Sequence, residues 1–189
     1  MHKRYLLTLS ALVAAVGSAP AGVVGSSAGP AAGSAVDTIP PGAVSELRSE
    51  HERLRESFRR LLQAAFAPAA TRTDRAGLVL FLRAEILPHA RSEELVLYPA
   101  VDSLLGTRGY ATATMILDHR AVARLVDELG ALVGSPNPEA FTRRACALDG
   151  LVSSHFAKEE EFILPILRDR MSETELGALF ARMSAEREQ

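Results

Sequence analysis

Two stretches of this chain repeat one unusual pattern. His89-Ala-Arg-Ser-Glu93-Glu94 is followed by Pro99, and His155-Phe-Ala-Lys-Glu159-Glu160 by Pro165, with identical spacing from His to Glu to Pro. In a helix, residues four apart lie about 6 Å apart on one face. That face is otherwise apolar, reading Leu82, Ile86, His89, Glu93, Leu97 in the first case and Leu148, Val152, His155, Glu159, Phe162, Ile166 in the second. A chain of this kind must fold so that two imidazole-carboxylate pairs face a core. Two further stripes carry one His each: Leu47, His51, Leu54, Phe58 and Met115, His119, Val122, Val126, Leu129.

Period and punctuation predict an all-α chain, an up-down-up-down four-helix bundle with a short C-terminal helix, because no segment alternates as a half-buried strand does. The first helix is expected over about 42–67, stopped by Pro68. The second runs from Asp74, read as its N-cap, to Leu105, with Gly106 ending it. The third covers roughly 108–133. The fourth opens at Asn137-Pro138-Glu139 and runs to about Asp169. Ser172 to Glu175 forms a capping-box pattern that starts the short last helix, ending near Arg182.

The segment before the bundle differs in composition. His2, Lys3 and Arg4 precede an apolar run from Leu6 to Val16 and then small residues. This is the layout of a secretory signal peptide over residues 1–21, too short an apolar run for a membrane anchor. Residues 22–35 are nearly all Gly, Ala, Ser, Val and Pro, and the segment 22–41 reads as a flexible linker. The bundle domain is expected over 42–185, and the protein is expected to be exported, to the periplasm or the extracellular space.

Among 189 residues the net charge is −2, which gives no electrostatic argument for a nucleic-acid partner. The single Cys146 excludes an intramolecular disulfide and a thiolate-only metal cluster. The five histidines are more informative. His2 belongs to the charged start of the chain, and the other four fall one per bundle helix, each on a core stripe. Two buried carboxylates without cationic partners cost several kcal/mol in desolvation, and no Lys or Arg lies near them on the same stripes. A bound cation removes that penalty. Glu50-His51 also matches Asp118-His119, so each half of the domain is a helical hairpin with one His on its first helix and His-x-x-x-Glu on its second. Two such halves, related by a pseudo-twofold axis, bring together two metal half-sites, a dinuclear arrangement.

In the order His51, His89-x-x-x-Glu93, His119, His155-x-x-x-Glu159, with the prolines that follow, residues 42–169 resemble the hemerythrin family, in particular its bacterial branch of hemerythrin-like cation-binding (HHE) domains. The resemblance implies a four-helix bundle around a non-haem di-iron centre. It makes His51, His89, His119 and His155 terminal nitrogen ligands and Glu93 and Glu159 carboxylate bridges between two Fe ions, with Mn as the alternative metal. Oxygen-carrying members have a further His four residues after the third; here that residue is Ala123. The site implied here leaves about two coordination positions open rather than about one, which favours redox chemistry over reversible oxygen carriage. The expected partner is dioxygen, peroxide or nitric oxide, bound or reduced. The alternative is a non-catalytic iron-binding, storage or sensing module.

Other polar residues are expected to be peripheral. Glu85 is one turn before His89 but is expected to be solvated or salt-bridged, with Pro88 bending the helix. Glu94 and Glu160 point about 100° away from the ligand face, a supporting or surface position. Arg48, Arg53, Arg55, Arg59 and Arg60 read as a solvated face of the first helix.

Overall fold

The computed structural model describes residues 42–188. The signal expected over 1–21 and the linker expected over 22–41 lie outside the described residues. Within them the chain is helical, without strands: α1 (Ala43–Phe66), α2 (72–105), α3 (Ala113–Leu132), α4 (138–170) and α5 (Glu173–Arg187). Helices α1 and α2 pack as one hairpin and α3 and α4 as the other; α1 also packs on α4, α2 on α3, and α5 against α1 and α2. Short connections force each consecutive pair to be antiparallel. No helix among the described residues is long and apolar enough to cross a membrane.

Helix ends follow local chemistry. Gly106 closes α2 at φ +66°, the left-handed conformation that suits glycine. Asn137 caps α4 through its side chain on Ala140 N–H, and Ser172 with Glu175 forms the capping box of α5. Two boundaries differ from expectation. The N-cap of α2 is Thr71, and Asp74 is the third residue of its capping box, returning a bond to the Thr71 backbone. Helix α3 begins at Ala113 rather than near 108, because the turn before it is organised around Asp102. The nearly buried Asp102 carboxylate accepts hydrogen bonds from the hydroxyls of Thr107 and Thr112, and from Ala111 N–H at 3.1 Å.

Helices α2 and α4 each contain widened, i to i+5 turns. They span Leu82–Ile86 and Glu93–Leu97 in α2 and Glu159–Ile163 in α4, and a proline follows each at the second residue beyond: Pro88, Pro99 and Pro165. Proline lacks an N–H and its ring clashes with the carbonyl four residues back, so a widened turn relieves the conflict that ordinary helix would create. The extra residue shifts the inward face. The fourth-helix stripe therefore does not continue through Phe162 and Ile166. Phe162 is 61% exposed and Ile166 only partly buried, while Ile163, Leu164 and Leu167 enter the core. In α2 the same shift turns Tyr98 inward.

Burial divides into two apolar clusters. One contains Leu54, Phe58, Leu82, Val126 and Leu148; the other contains Leu47, Leu97, Val101, Met115 and Leu164 and is sealed by Leu176, Leu179 and Met183 of α5. On α1 the step from Leu47 to Leu54 passes through His51, so the polar residues form a layer between the clusters.

The turn before α3 gives a direct test. Asp102→Ala removes an acceptor serving two hydroxyls and one backbone N–H, and is expected to cost about 2 kcal/mol in urea unfolding. These hydrogen bonds hold the Asp102 pKa down although burial opposes them. Its contribution is therefore complete above about pH 4, the ordinary Asp value, and is lost as pH falls through the lower folded value. An unchanged urea midpoint at pH 7 contradicts this role.

Candidate metal centre

All six sequence-predicted residues, His51, His89, Glu93, His119, His155 and Glu159, are buried and converge in the polar layer. Ligating atoms of His51, His89, Glu93 and Glu159 lie within 4.8 Å of one another, as do those of Glu93, His119 and His155. Glu93 belongs to both groups. Its Oε1 is 2.8 Å from His89 Nε2 and 3.8 Å from His51 Nε2, while its Oε2 is 3.3 Å from His119 Nε2 and 3.9 Å from His155 Nε2. Glu159 presents Oε2 at 3.5 Å from His51 Nε2 and 3.6 Å from His155 Nε2, so it also reaches both halves.

The outer side of each imidazole is held by a carboxylate, and these four contacts run around the bundle in one direction. Glu50 on α1 meets His89 Nδ1 at 3.0 Å, and Glu94 on α2 meets His119 Nδ1 at 2.9 Å. Asp118 on α3 meets His155 Nδ1 at 3.3 Å, and Glu160 on α4 closes the ring at His51 Nδ1, 2.9 Å. An ionised carboxylate can only accept, so each Nδ1 carries a proton, and an Nε2 without one turns a lone pair inward. Such lone pairs and two carboxylates facing one another repel without a cation among them. Consistently, the Nε2 atoms of His51 and His89, both oxygens of Glu93 and Oε2 of Glu159 are buried without a hydrogen bond. Unpaired buried polar atoms of this kind are rare and call for an explanation. A metal ion supplies one.

Titration behaviour has the same origin. Burial, followed by the negative charge of Glu93, pushes Glu159 well above the usual carboxylate range. Glu93 is held well below it: burial opposes this, but the charge that His89 takes on beside it, with the other imidazoles around the carboxylate, prevails. The protein alone thus accommodates one of the two charges readily and resists the second. In the outer ring, Glu160 is lowered against burial by Arg55 and His51, and Asp118 against burial by Lys158 and His155.

Several contributors were not predicted. The Tyr98 hydroxyl donates to Glu159 Oε1 at 2.8 Å and lies 3.2 Å from His119 Nε2 and 3.3 Å from His155 Nε2. Burial, with the charges of Glu93 and Glu159, raises its pKa far above the ordinary phenol value, so it remains a donor. Arg55 is not part of a purely solvated face. It pairs with Glu160 at 2.9 Å and lies over the Phe156 ring, which stacks on His51 at 4.2 Å. Arg48 donates to the Glu160 carbonyl, and Arg187 of α5 pairs with Glu50. Glu94 and Glu160 take the supporting positions expected of them, and Glu85 is exposed. Sequence did hold a signal for the outer ring: each of its carboxylates is adjacent in sequence to one of the six buried residues.

The chain belongs to the hemerythrin HHE cation binding domain family, whose profile matches residues 42–167 and again, overlapping, 110–189. The second match opens just before the second helical hairpin, where the motif order begins to repeat. No curated protein and no solved structure matches the chain.

The strain between the two carboxylates predicts an unusual stability effect. Glu159→Gln keeps an acceptor for Tyr98 but removes an ionisable group whose charge lacks a compensating cation. In metal-free protein at pH 7 it is expected to leave Tm unchanged or raise it by about 2–8 °C, the range for a gain of 1–2 kcal/mol in a domain of this size. A drop in Tm by calorimetry contradicts this reading of the site.

Proposed function

We propose that the chain holds a non-haem di-iron centre and uses it to bind or reduce a small oxidant: dioxygen, peroxide or nitric oxide. His51 and His89 would hold one ion, His119 and His155 the other, and Glu93 and Glu159 would span both. The observation that carries the reading is that Nε2 of His51 and His89, both oxygens of Glu93 and Oε2 of Glu159 are left without hydrogen bonds while every Nδ1 is tied outward. Imidazole and carboxylate donors without thiolate suit iron or manganese. Zinc favours four-coordinate sites and fits less well.

Bound ferrous ions would supply the electrons for reducing such a ligand. The remaining work belongs to side chains of the chain itself. Tyr98 keeps its proton at Oη, 2.8 Å from Glu159, as a hydrogen-bond donor inside the site. Phe156 stacks on His51 and helps exclude water from that half. The outer carboxylates fix tautomer and ring orientation and make the imidazoles better donors.

Ferrous-loaded protein mixed with hydrogen peroxide and an excess of an external electron donor such as ascorbate is expected to change its visible spectrum and to consume peroxide and donor over many turnovers, and Glu159→Ala should abolish the consumption. A single stoichiometric colour change would favour a binding module over a reductase. No spectral response to peroxide, dioxygen or nitric oxide in iron-loaded protein would refute the proposal.

A further inference from the structure

The two halves of the site are not equivalent, and the difference points to a route. Placing His119 on His51 and His155 on His89 pairs Glu94 with Glu160, Ala123 with Arg55 and Tyr98 with Leu164. On the first side, Arg55 pairs with Glu160 at 2.9 Å, Arg48 covers the Glu160 carbonyl, and Leu164 is fully buried. On the other, Ala123 cannot reach Glu94. Among the described residues Glu94 is the one outer carboxylate without an Arg or Lys partner; Glu50 has Arg187, Asp118 has Lys158 and Glu160 has Arg55. Where that clamp is missing, a cleft of about 650 Å³ runs between the C-terminal part of α2 and the start of α3, lined by Glu94, Tyr98, Pro99, Ser103, Thr112 and Ile116 among others.

The inner end of the cleft meets the site directly. Glu94 bonds His119 Nδ1, and the Tyr98 ring stacks on His119 with centroids 5.5 Å apart while its hydroxyl lies among His119, His155 and Glu159. We propose that the exogenous ligand reaches the centre through this cleft, arriving at the His119–His155 half past Tyr98 and Glu94, and that the cleft favours small neutral ligands over anions. The charge preference follows from its lining. The Asp102 carboxylate is taken up by Thr107, Thr112 and Ala111, whereas Glu94 faces the cleft with no cation beside it. Arg108, the one cation of the lining, is exposed on the turn before α3. An anion approaching the inner end therefore meets an uncompensated negative charge in a partly desolvated cleft.

The proposal rests on the iron-binding reading, and the test separates the two. Ser103→Trp and Ile116→Trp place an indole at an exposed and at a partly buried position of the cleft lining and replace none of the six buried site residues. Leu80→Trp, at an exposed position on the other half of α2, is the control of equal size. Iron content is measured first, then the stopped-flow association rate of nitric oxide with the ferrous protein. Both cleft variants are expected to retain the iron and spectrum of the parent while association slows at least about tenfold; Leu80→Trp leaves it unchanged. If Ile116→Trp does not fold, Ser103→Trp alone decides. Azide association is expected to quicken about tenfold in Glu94→Gln, through removal of the facing charge. Failure of the parent to take up iron defeats the metal reading. Iron-loaded cleft variants that bind nitric oxide at the parent rate overturn the route, and an azide rate unmoved by Glu94→Gln overturns the charge preference.

Discussion

The structure depends on a closed ring of four carboxylate-imidazole contacts, Glu50 to His89, Glu94 to His119, Asp118 to His155 and Glu160 to His51, each joining one bundle helix to the next. It does two things at once. It satisfies the outer nitrogen of every buried imidazole, and it thereby commits the inner nitrogens to a space already holding Glu93 and Glu159. A bundle that needed only stability would fill this layer with apolar side chains, as it does above and below. A polar layer whose outer edge is satisfied while five inward atoms, on His51, His89, Glu93 and Glu159, are not has the chemistry of a cation site.

Three prolines translate this requirement into backbone geometry. The widened turns before Pro99 and Pro165 begin at the two buried glutamates themselves, so the residue five positions on shares their face. In α4 that residue is Leu164, which completes the apolar cluster sealed by α5. In α2 it is Tyr98, whose hydroxyl enters the site. One duplicated backbone device thus gives two different chemical outcomes. Together with Ala123 standing where Arg55 stands in the other half, it makes the pseudo-twofold centre asymmetric.

Much of this was legible in the sequence. The six buried site residues could be found because His and Glu interrupt otherwise apolar stripes, and because the interruption occurs twice at the same spacing. The order of helices followed from Pro, Gly and capping residues. Tyr98 and Phe162 were not legible, since a 3.6-residue period assumes regular helix and the widened turns break that period by one residue. The cross-helix partners of Arg55 and Arg187 depend on tertiary placement; a charged residue on a helix surface looks the same in sequence whether or not another helix brings it a partner. The start of α3 was missed because Asp102 and its three donors are local to the folded turn.

The central proposal is that the layer holds two ions per chain. Native mass spectrometry of protein loaded anaerobically with ferrous iron and then desalted tests it most directly. The proposed centre predicts two irons retained per chain; one iron, or none, would contradict the account.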